Sequence, residues 1–137
     1  MADIPFLRFS EEPFTLHSGR QSHFLIDAGL LFACEPLRQM VLDCWLSECQ
    51  SLKQHERVQV YGIPTGGVQW AAALAARIGA KLCLERQNLD LVYPVIAVDD
   101  VVTTGASLGA IPATKRLAVV DRGDNSRIFS VWRMPLP

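Results

Sequence analysis

The chain has 137 residues, of which half are hydrophobic and a fifth are charged, and its formal net charge is −1. This composition is typical of a folded chain, and the length suits one domain with one hydrophobic core. Because no run of lysine or arginine is present, we expect neither nucleic acid nor a membrane surface as a partner. The sequence therefore predicts a single domain over residues 1–137.

The four cysteines predict free thiols in a reducing compartment, because none forms a CxxC pair or has zinc-finger spacing. The N-terminus lacks the basic region and apolar stretch of a signal peptide. The most apolar helical stretch, near residues 70–76, is interrupted by Arg77 and is too short to span a bilayer. We therefore expect a cytoplasmic protein.

The N-terminal third predicts two short extended segments and a helix. The extended segments cover residues 14–17 and 24–27, with a turn at 18–20. Pro36 begins the helix, since its fixed φ and missing N–H suit the first helical turn. Hydrophobic side chains recur after it at helical spacing and predict one apolar face: Leu37, Met40, Val41, Cys44 and Leu52.

From residue 58 onward, short hydrophobic strands alternate with helical stretches. The predicted strands are 58–61, 81–84, 95–98, 117–120 and 128–132, and an alanine-rich helix is predicted over 68–78. This alternation predicts an α/β fold with a mostly parallel sheet flanked by helices. Loops 62–67 and 99–107 each follow a strand directly, so we expect them at the same edge of the sheet, where ligands bind in such folds.

The segment Val-Ile-Ala-Val-Asp-Asp-Val-Val-Thr-Thr-Gly-Ala-Ser, residues 95–107, carries the strongest functional pattern. A buried strand delivers Asp99 and Asp100 to its exposed end, and a loop of small hydroxyl residues follows. Carboxylates can accept hydrogen bonds from sugar hydroxyls, and such a loop can cradle a phosphate. The segment therefore indicates ribose plus phosphate. A helix cap is the structural alternative. A Walker-B-like interpretation would need GxxxxGK[ST], which the chain lacks.

Residues 95–107 resemble the 5-phosphoribosyl-1-pyrophosphate (PRPP) signature of type I phosphoribosyltransferases at every position. The resemblance implies the fold of that family, with a small N-terminal hood over the base. It also implies that Asp99 and Asp100 are the catalytic acids that hold the ribose hydroxyls. The implied 5-phosphate ligands are Thr103, Thr104, Gly105, Ala106 and Ser107.

Two further segments resemble the orotate phosphoribosyltransferases. Residues 14–22 are similar to their hood segment F-x-L-K-S-G-R-x-S, and residues 117–122 are similar to their strand that ends in Asp-Arg. In that family the arginine grips the carboxylate of orotate, a task that suits a planar guanidinium. An ordinary surface arginine is the alternative for this residue. The implied base-binding residues are Arg122, Thr103, His17 and Leu25.

The glycine-rich loop 62–67 lies where the family has its pyrophosphate loop, although a tight turn would also need these glycines. The implied pyrophosphate ligands are Pro64, Thr65, Gly66 and Gly67. The chain also departs from the family. His17 replaces a lysine, and Thr65 and Gly66 replace a Tyr-Lys pair. Only residues 86–94 stand in place of the mobile loop R-K-x-x-K-x-H, here called the lid, and neither lysine nor histidine follows Arg86.

The resemblance implies transfer of phosphoribosyl from PRPP to a pyrimidine-like base, with orotate expected. Mg²⁺ would be held mainly by PRPP, with no metal ligand assigned to the protein. A homodimer is expected, because the family's lid closes from the neighbouring subunit. The rival hypothesis is a non-catalytic module that binds PRPP or a nucleotide and regulates a partner. Loss of the lid lysines favours the rival, whereas Arg122 and the hood segment favour the enzyme.

Overall fold

The computed structural model describes residues 7–16, 19, 21–52 and 57–136. Strands and helices alternate in the middle of this length, and two strands follow one another at each end. In chain order they are β1 (Leu7–Thr15), β2 (Gln21–Ile26), α1 (Ala28–Ala33), α2 (Glu35–Glu48), β3 (Gln59–Gly62), α3 (Gly66–Ile78), β4 (Lys81–Cys83), β5 (Val95–Val102), α4 (Ala106–Gly109), β6 (Lys115–Asp121) and β7 (Phe129–Arg133). Short 3₁₀ turns cover Gln50–Leu52 and Arg86–Asn88.

The central feature is a five-stranded sheet in the order β4-β3-β5-β6-β7, in which every neighbouring pair is parallel. This confirms the predicted α/β architecture. Residues 95–98 in β5 and 117–120 in β6 are fully buried, as expected for central strands covered on both faces. Because all five strands of this sheet are parallel, the loops that follow β3, β5 and β6 lie at one edge of it.

Strand β5 is longer than its hydrophobic run predicts. It continues through Asp99 and Asp100 to Val102, so these acids belong to the strand and not to the loop after it. The extension forms because β6 continues alongside, pairing Asp99 with Ala118 and Val102 with Asp121. The loop predicted to bind phosphate is correspondingly short, because α4 already begins at Ala106.

The hood is an antiparallel hairpin of β1 and β2, and its register pairs Phe14 with Ser22. Both strands are longer than the predicted segments. Gly19, between them, has φ +83° and donates its N–H to Leu16 O at 2.8 Å. The predicted residue His17 and the turn positions 18 and 20 lie outside the described residues.

Helices α1, α2 and α3 pack on one face of the sheet around a core that contains Trp45 and Trp70, whose rings meet edge to face. Predicting Met40 on the buried face of α2 was wrong, since it is 40% exposed. Trp45 sets the orientation of the helix instead, because it is fully buried and donates to Ala118 O at 3.2 Å. Helix α1 was not predicted, although Asp27 caps it through Leu30 N.

On the other face of the sheet, α4 and the adjoining loops cover a smaller cluster that includes Leu108 and Ile111. Helix α4 is short because the chain turns toward Pro112, which does not suit a helix interior, and then enters β6. Within the ranges that the structure describes, no helix is long and apolar enough to cross a membrane.

Candidate active site

A cavity of about 640 Å³ lies at the carboxyl edge of the sheet, beneath the hood. It is lined by most of the predicted site residues: Leu25, Pro64, Thr65, Gly66, Asp99, Asp100, Thr103, Thr104, Gly105, Ala106, Ser107 and Arg122. Gly67 does not line it. Residues predicted from four separate segments of the sequence therefore meet around one space.

The start of α3 approaches β5 so closely that side chains at its first two residues, Gly66 and Gly67, would collide with that strand. A Cβ on Gly67 would lie 2.6 Å from Val98 O, and a Cβ on Gly66 would overlap the carboxylate of Asp100. Gly67 N–H is bonded to Ile63 O at 2.8 Å, so this amide is part of the helix start. The absence of side chains at the two glycines brings the predicted pyrophosphate loop directly against the acid pair.

Asp99 and Asp100 are half-buried at the exposed end of β5. Asp99 Oδ1 accepts from Asp100 N at 2.8 Å, and Asp100 Oδ1 accepts from Val101 N at 2.6 Å. Burial, and then the neighbouring Asp100 carboxyl, raises the pKa of Asp99 to about 8. In the ligand-free protein Asp99 is therefore largely protonated at neutral pH, and it can become ionised when hydroxyl or cationic partners arrive.

The loop after β5 turns sharply into α4. Gly105 takes φ +77°, a conformation that favours glycine, and Thr104 Oγ1 accepts from Ala106 N at 3.3 Å. Thr104, Ala106 and Ser107 are exposed to solvent at the cavity wall. Residues that carry hydroxyl groups therefore line one end of the cavity, an arrangement suited to an oxyanion.

Arg122 follows β6 and is only 1% exposed, although it forms part of the cavity wall. Its Nη1 donates to Phe24 O at 3.1 Å and its Nη2 donates to Ser22 Oγ at 2.7 Å, while the guanidinium stacks 4.0 Å from the centre of the Phe24 ring. Arg122 thus ties the sheet to the hood strand β2. Sequence reasoning placed it at the cavity but did not anticipate its burial or these partners.

Several cavity-lining residues were not assigned a site role from the sequence. Thr15 and Leu16 come from the hood segment, and Ile63 comes from the glycine-rich loop. The sequence had already marked both segments, but it assigned site roles to other positions within them. Asn125, which contacts the phosphate loop from outside the cavity, has no motif, and only the fold reveals it.

Comparison with known proteins gives the family. No protein-family model matches the chain. It is 32% identical, over 134 residues, to an orotate phosphoribosyltransferase of Aeropyrum pernix, a match that spans 82% of this chain and 72% of that protein. The chain belongs to the orotate phosphoribosyltransferase family. The resemblance inferred from residues 14–22, 95–107 and 117–122 is thereby confirmed.

Solved structures agree with this family at the level of the fold. The crystal structure of the orotate phosphoribosyltransferase from Aeropyrum pernix superposes with a TM-score of 0.73 and 30% identity, covering 94% of this chain and 89% of that one. Leishmania donovani UMP synthase matches with a TM-score of 0.67 and 20% identity, covering 94% of this chain and 34% of that one. Adenine phosphoribosyltransferase from Rhodothermus marinus matches with a TM-score of 0.65 and 16% identity, covering 84% and 88%. The last two likenesses concern the fold alone.

Proposed function

We propose that this chain transfers the phosphoribosyl group of PRPP to a pyrimidine-like base, and that the base is orotate. The products would be orotidine 5-phosphate and pyrophosphate. The observation that carries the proposal is the single cavity that brings together an acid pair, a hydroxyl-rich loop, a glycine-rich loop and an arginine. Membership of the orotate phosphoribosyltransferase family supports it.

Each wall of the cavity suits one part of PRPP. Asp99 and Asp100 would accept hydrogen bonds from the ribose hydroxyls, and residues 103–107 would hold the 5-phosphate. Residues 64–66 lie next to Asp100, where the pyrophosphate on C1 of the same ribose would extend. The base would then lie toward the hood, near Leu25 and Arg122.

The reaction breaks the bond between C1 of the ribose and the pyrophosphate oxygen, and it forms a bond between C1 and a base nitrogen. Pyrophosphate leaves with the bonding electron pair, and the base nitrogen loses its proton. The transition state resembles an oxocarbenium ion, so the tasks of the protein are positioning and charge stabilisation. The acid pair would serve the first task by holding the ribose hydroxyls.

Magnesium would enter with PRPP, whose own oxygens would supply most of its ligands, and it would neutralise charge on the pyrophosphate. Among the described residues, no group of three His, Cys, Asp or Glu side chains could hold a metal ion. Asp99, once it ionises, and Asp100 would suit a cation carried by the substrate, because both line the cavity beside the position proposed for pyrophosphate.

A non-catalytic PRPP-binding module is the second candidate, and one contact favours it. Arg86, which we match by resemblance to the arginine at the start of the family's lid, donates from Nη2 to Ala110 O at 2.6 Å. That contact holds it against the end of α4. No lysine or histidine follows it before Pro94. A homodimer remains our proposal for the assembly, in which a neighbouring subunit would supply a further cation over the pyrophosphate.

A coupled assay of pyrophosphate release tests the proposal, with PRPP, Mg²⁺ and orotate, uracil or adenine as the base. We expect release that depends on orotate and is slower than that of a lid-bearing relative, since lost charge-stabilising donors can each cost about 10²–10³ in rate. Faster release with adenine would contradict the assignment of the base. Tight PRPP binding without turnover on any base would favour the non-catalytic module.

A further inference from the structure

The loop between β6 and β7, residues 122–128, packs directly against the phosphate loop. Asn125 Nδ2 donates to Thr103 O at 3.0 Å. A Cβ on Gly123 would overlap that same carbonyl oxygen, and a Cβ on Gly105 would lie 2.5 Å from Asn125 Oδ1. The two loops therefore touch through glycines, with no room for a methyl group between them.

A buried carboxylate holds Asn125 in this position. Asp121 is fully buried, and its Oδ1 accepts from Asn125 Nδ2 and from Gly123 N, both at 2.8 Å. Its Oδ2 accepts from Asn125 N at 3.1 Å and from Arg133 Nη1 at 2.9 Å. A carboxylate is stable in such a place only when it is well hydrogen-bonded. Asp121 thus fixes both the backbone and the side chain of Asn125.

The same loop carries Arg122, whose backbone N–H donates to Val102 O at 2.8 Å. Thr103, the next residue after Val102, is the residue that Asn125 holds. Consequently one hydrogen-bonded unit contains both Arg122, beside the proposed base position, and the start of the loop proposed for the 5-phosphate. Their separation is set by Asp121 and Asn125.

We propose that Asn125 is a positioning residue for the phosphate loop. By fixing the direction of the Thr103 carbonyl, it keeps the amides and hydroxyls of residues 103–107 turned toward the cavity. Asp121 and Arg133 hold Asn125 for this task. The inference deepens the proposed function and rests on it, because it assigns the 5-phosphate to residues 103–107. Asn125 itself stands outside the cavity lining and acts through Thr103.

The test measures ribose 5-phosphate binding by calorimetry and the ³¹P resonance of the bound phosphate by NMR. Asn125→Ala and Asn125→Leu both remove the amide donor, and Ser126→Ala, an exposed position in the same loop, is the control. Loss of this partly buried hydrogen bond predicts a dissociation constant raised about three- to tenfold. At saturating ligand the ³¹P resonance should also move away from its wild-type position, because the phosphate surroundings have changed.

A role in stability alone would lower the folded fraction but leave the bound ³¹P resonance where it is. The inference is therefore overturned if both Asn125 variants bind like wild type, or if they bind more weakly with an unchanged resonance. Arg133→Ala, at a half-exposed side chain, should weaken binding about twofold in the same direction. If the Asn125 variants do not fold, unchanged binding by Arg133→Ala overturns the inference. Wild-type protein that fails to bind ribose 5-phosphate would overturn the proposed function as well.

Discussion

The carboxylate of Asp100 occupies the space that a side chain at position 66 would need. A Cβ on Gly66 would overlap Asp100 Oδ2 and lie 2.5 Å from Asp100 Cγ. The family's lysine at this position would therefore require Asp100 to move. Glycine at position 66 and the observed position of the Asp100 carboxylate therefore depend on each other. Substitution of Gly66 is consequently a sensitive test of the site.

Gly66→Ala should displace the Asp100 carboxylate and weaken ribose 5-phosphate binding, while the fold survives because a side-chain tip can rotate away. Loss of a charge-assisted hydrogen bond predicts about 1.5–3 kcal/mol in binding free energy. Calorimetric titration measures this, and Gly109→Ala, where a Cβ meets open space, is the control. Gly67→Ala should instead destabilise the fold, since its Cβ would press on the backbone of β5. Wild-type affinity in Gly66→Ala would show that Asp100 is not a ribose ligand.

Arg122→Ala should abolish the preference for orotate over uracil and also lower the melting temperature. The loss in orotate binding should be about 1.5–3 kcal/mol, the value of a charge-assisted contact. The loss of stability follows from its buried bonds to Ser22 and Phe24. Competition titrations with the two bases measure the preference, and thermal unfolding measures the stability.

Two variants separate the roles of Arg122. Ser22→Ala removes one hood acceptor but keeps the guanidinium, so it should retain the preference for orotate. Arg127→Ala, at an exposed position in the following loop, should change neither property. If wild-type protein responds equally to orotate and uracil, Arg122 does not select the base and its role is to hold the hood.

The raised pKa of Asp99 predicts how the stability of the ligand-free protein depends on pH. Because this pKa is near 8 in the folded chain and 3.8 in the reference state, the folded state binds the proton more tightly. The contribution of Asp99 to stability is therefore fully present below about pH 4 and is lost as pH rises toward 8.

Asp99→Asn removes this titration, so its melting temperature should rise relative to wild type between pH 5 and pH 8.5. Thermal unfolding at several pH values measures the difference, with exposed Asp124→Asn as the control. Parallel curves for wild type and Asp99→Asn would show that Asp99 titrates normally.

The sheet and the meeting of loops 62–67 and 99–107 at one of its edges were predictable because their signals are local. The hydrophobic run 95–98 followed by two acids specifies a buried strand with a polar end, and the glycines of loop 62–67 mark a close approach. Which glycine meets which partner depends on the packing of β3 against β5, and no local pattern encodes it.

Other features depend on tertiary contacts and could not be predicted. Trp45 rather than Met40 turns inward because Trp70 and the carbonyl of Ala118 lie beside it. The role proposed for Asn125 depends on a hydrogen bond across 22 positions of sequence. Arg122 is buried because the hood, 98 residues earlier in the chain, supplies Phe24 O as an acceptor.

The most direct test of the account is titration of the protein with PRPP and Mg²⁺, comparing wild type with the double variant Asp99→Asn/Asp100→Asn. The adjacent exposed pair Glu11 and Glu12, changed to glutamine, is the control for lost charge. We expect saturable binding by wild type and by the control, and binding weakened by at least an order of magnitude in the double variant, because two carboxylate acceptors for the ribose are lost. Absence of wild-type binding at millimolar PRPP, or equal binding by the double variant, would contradict the account.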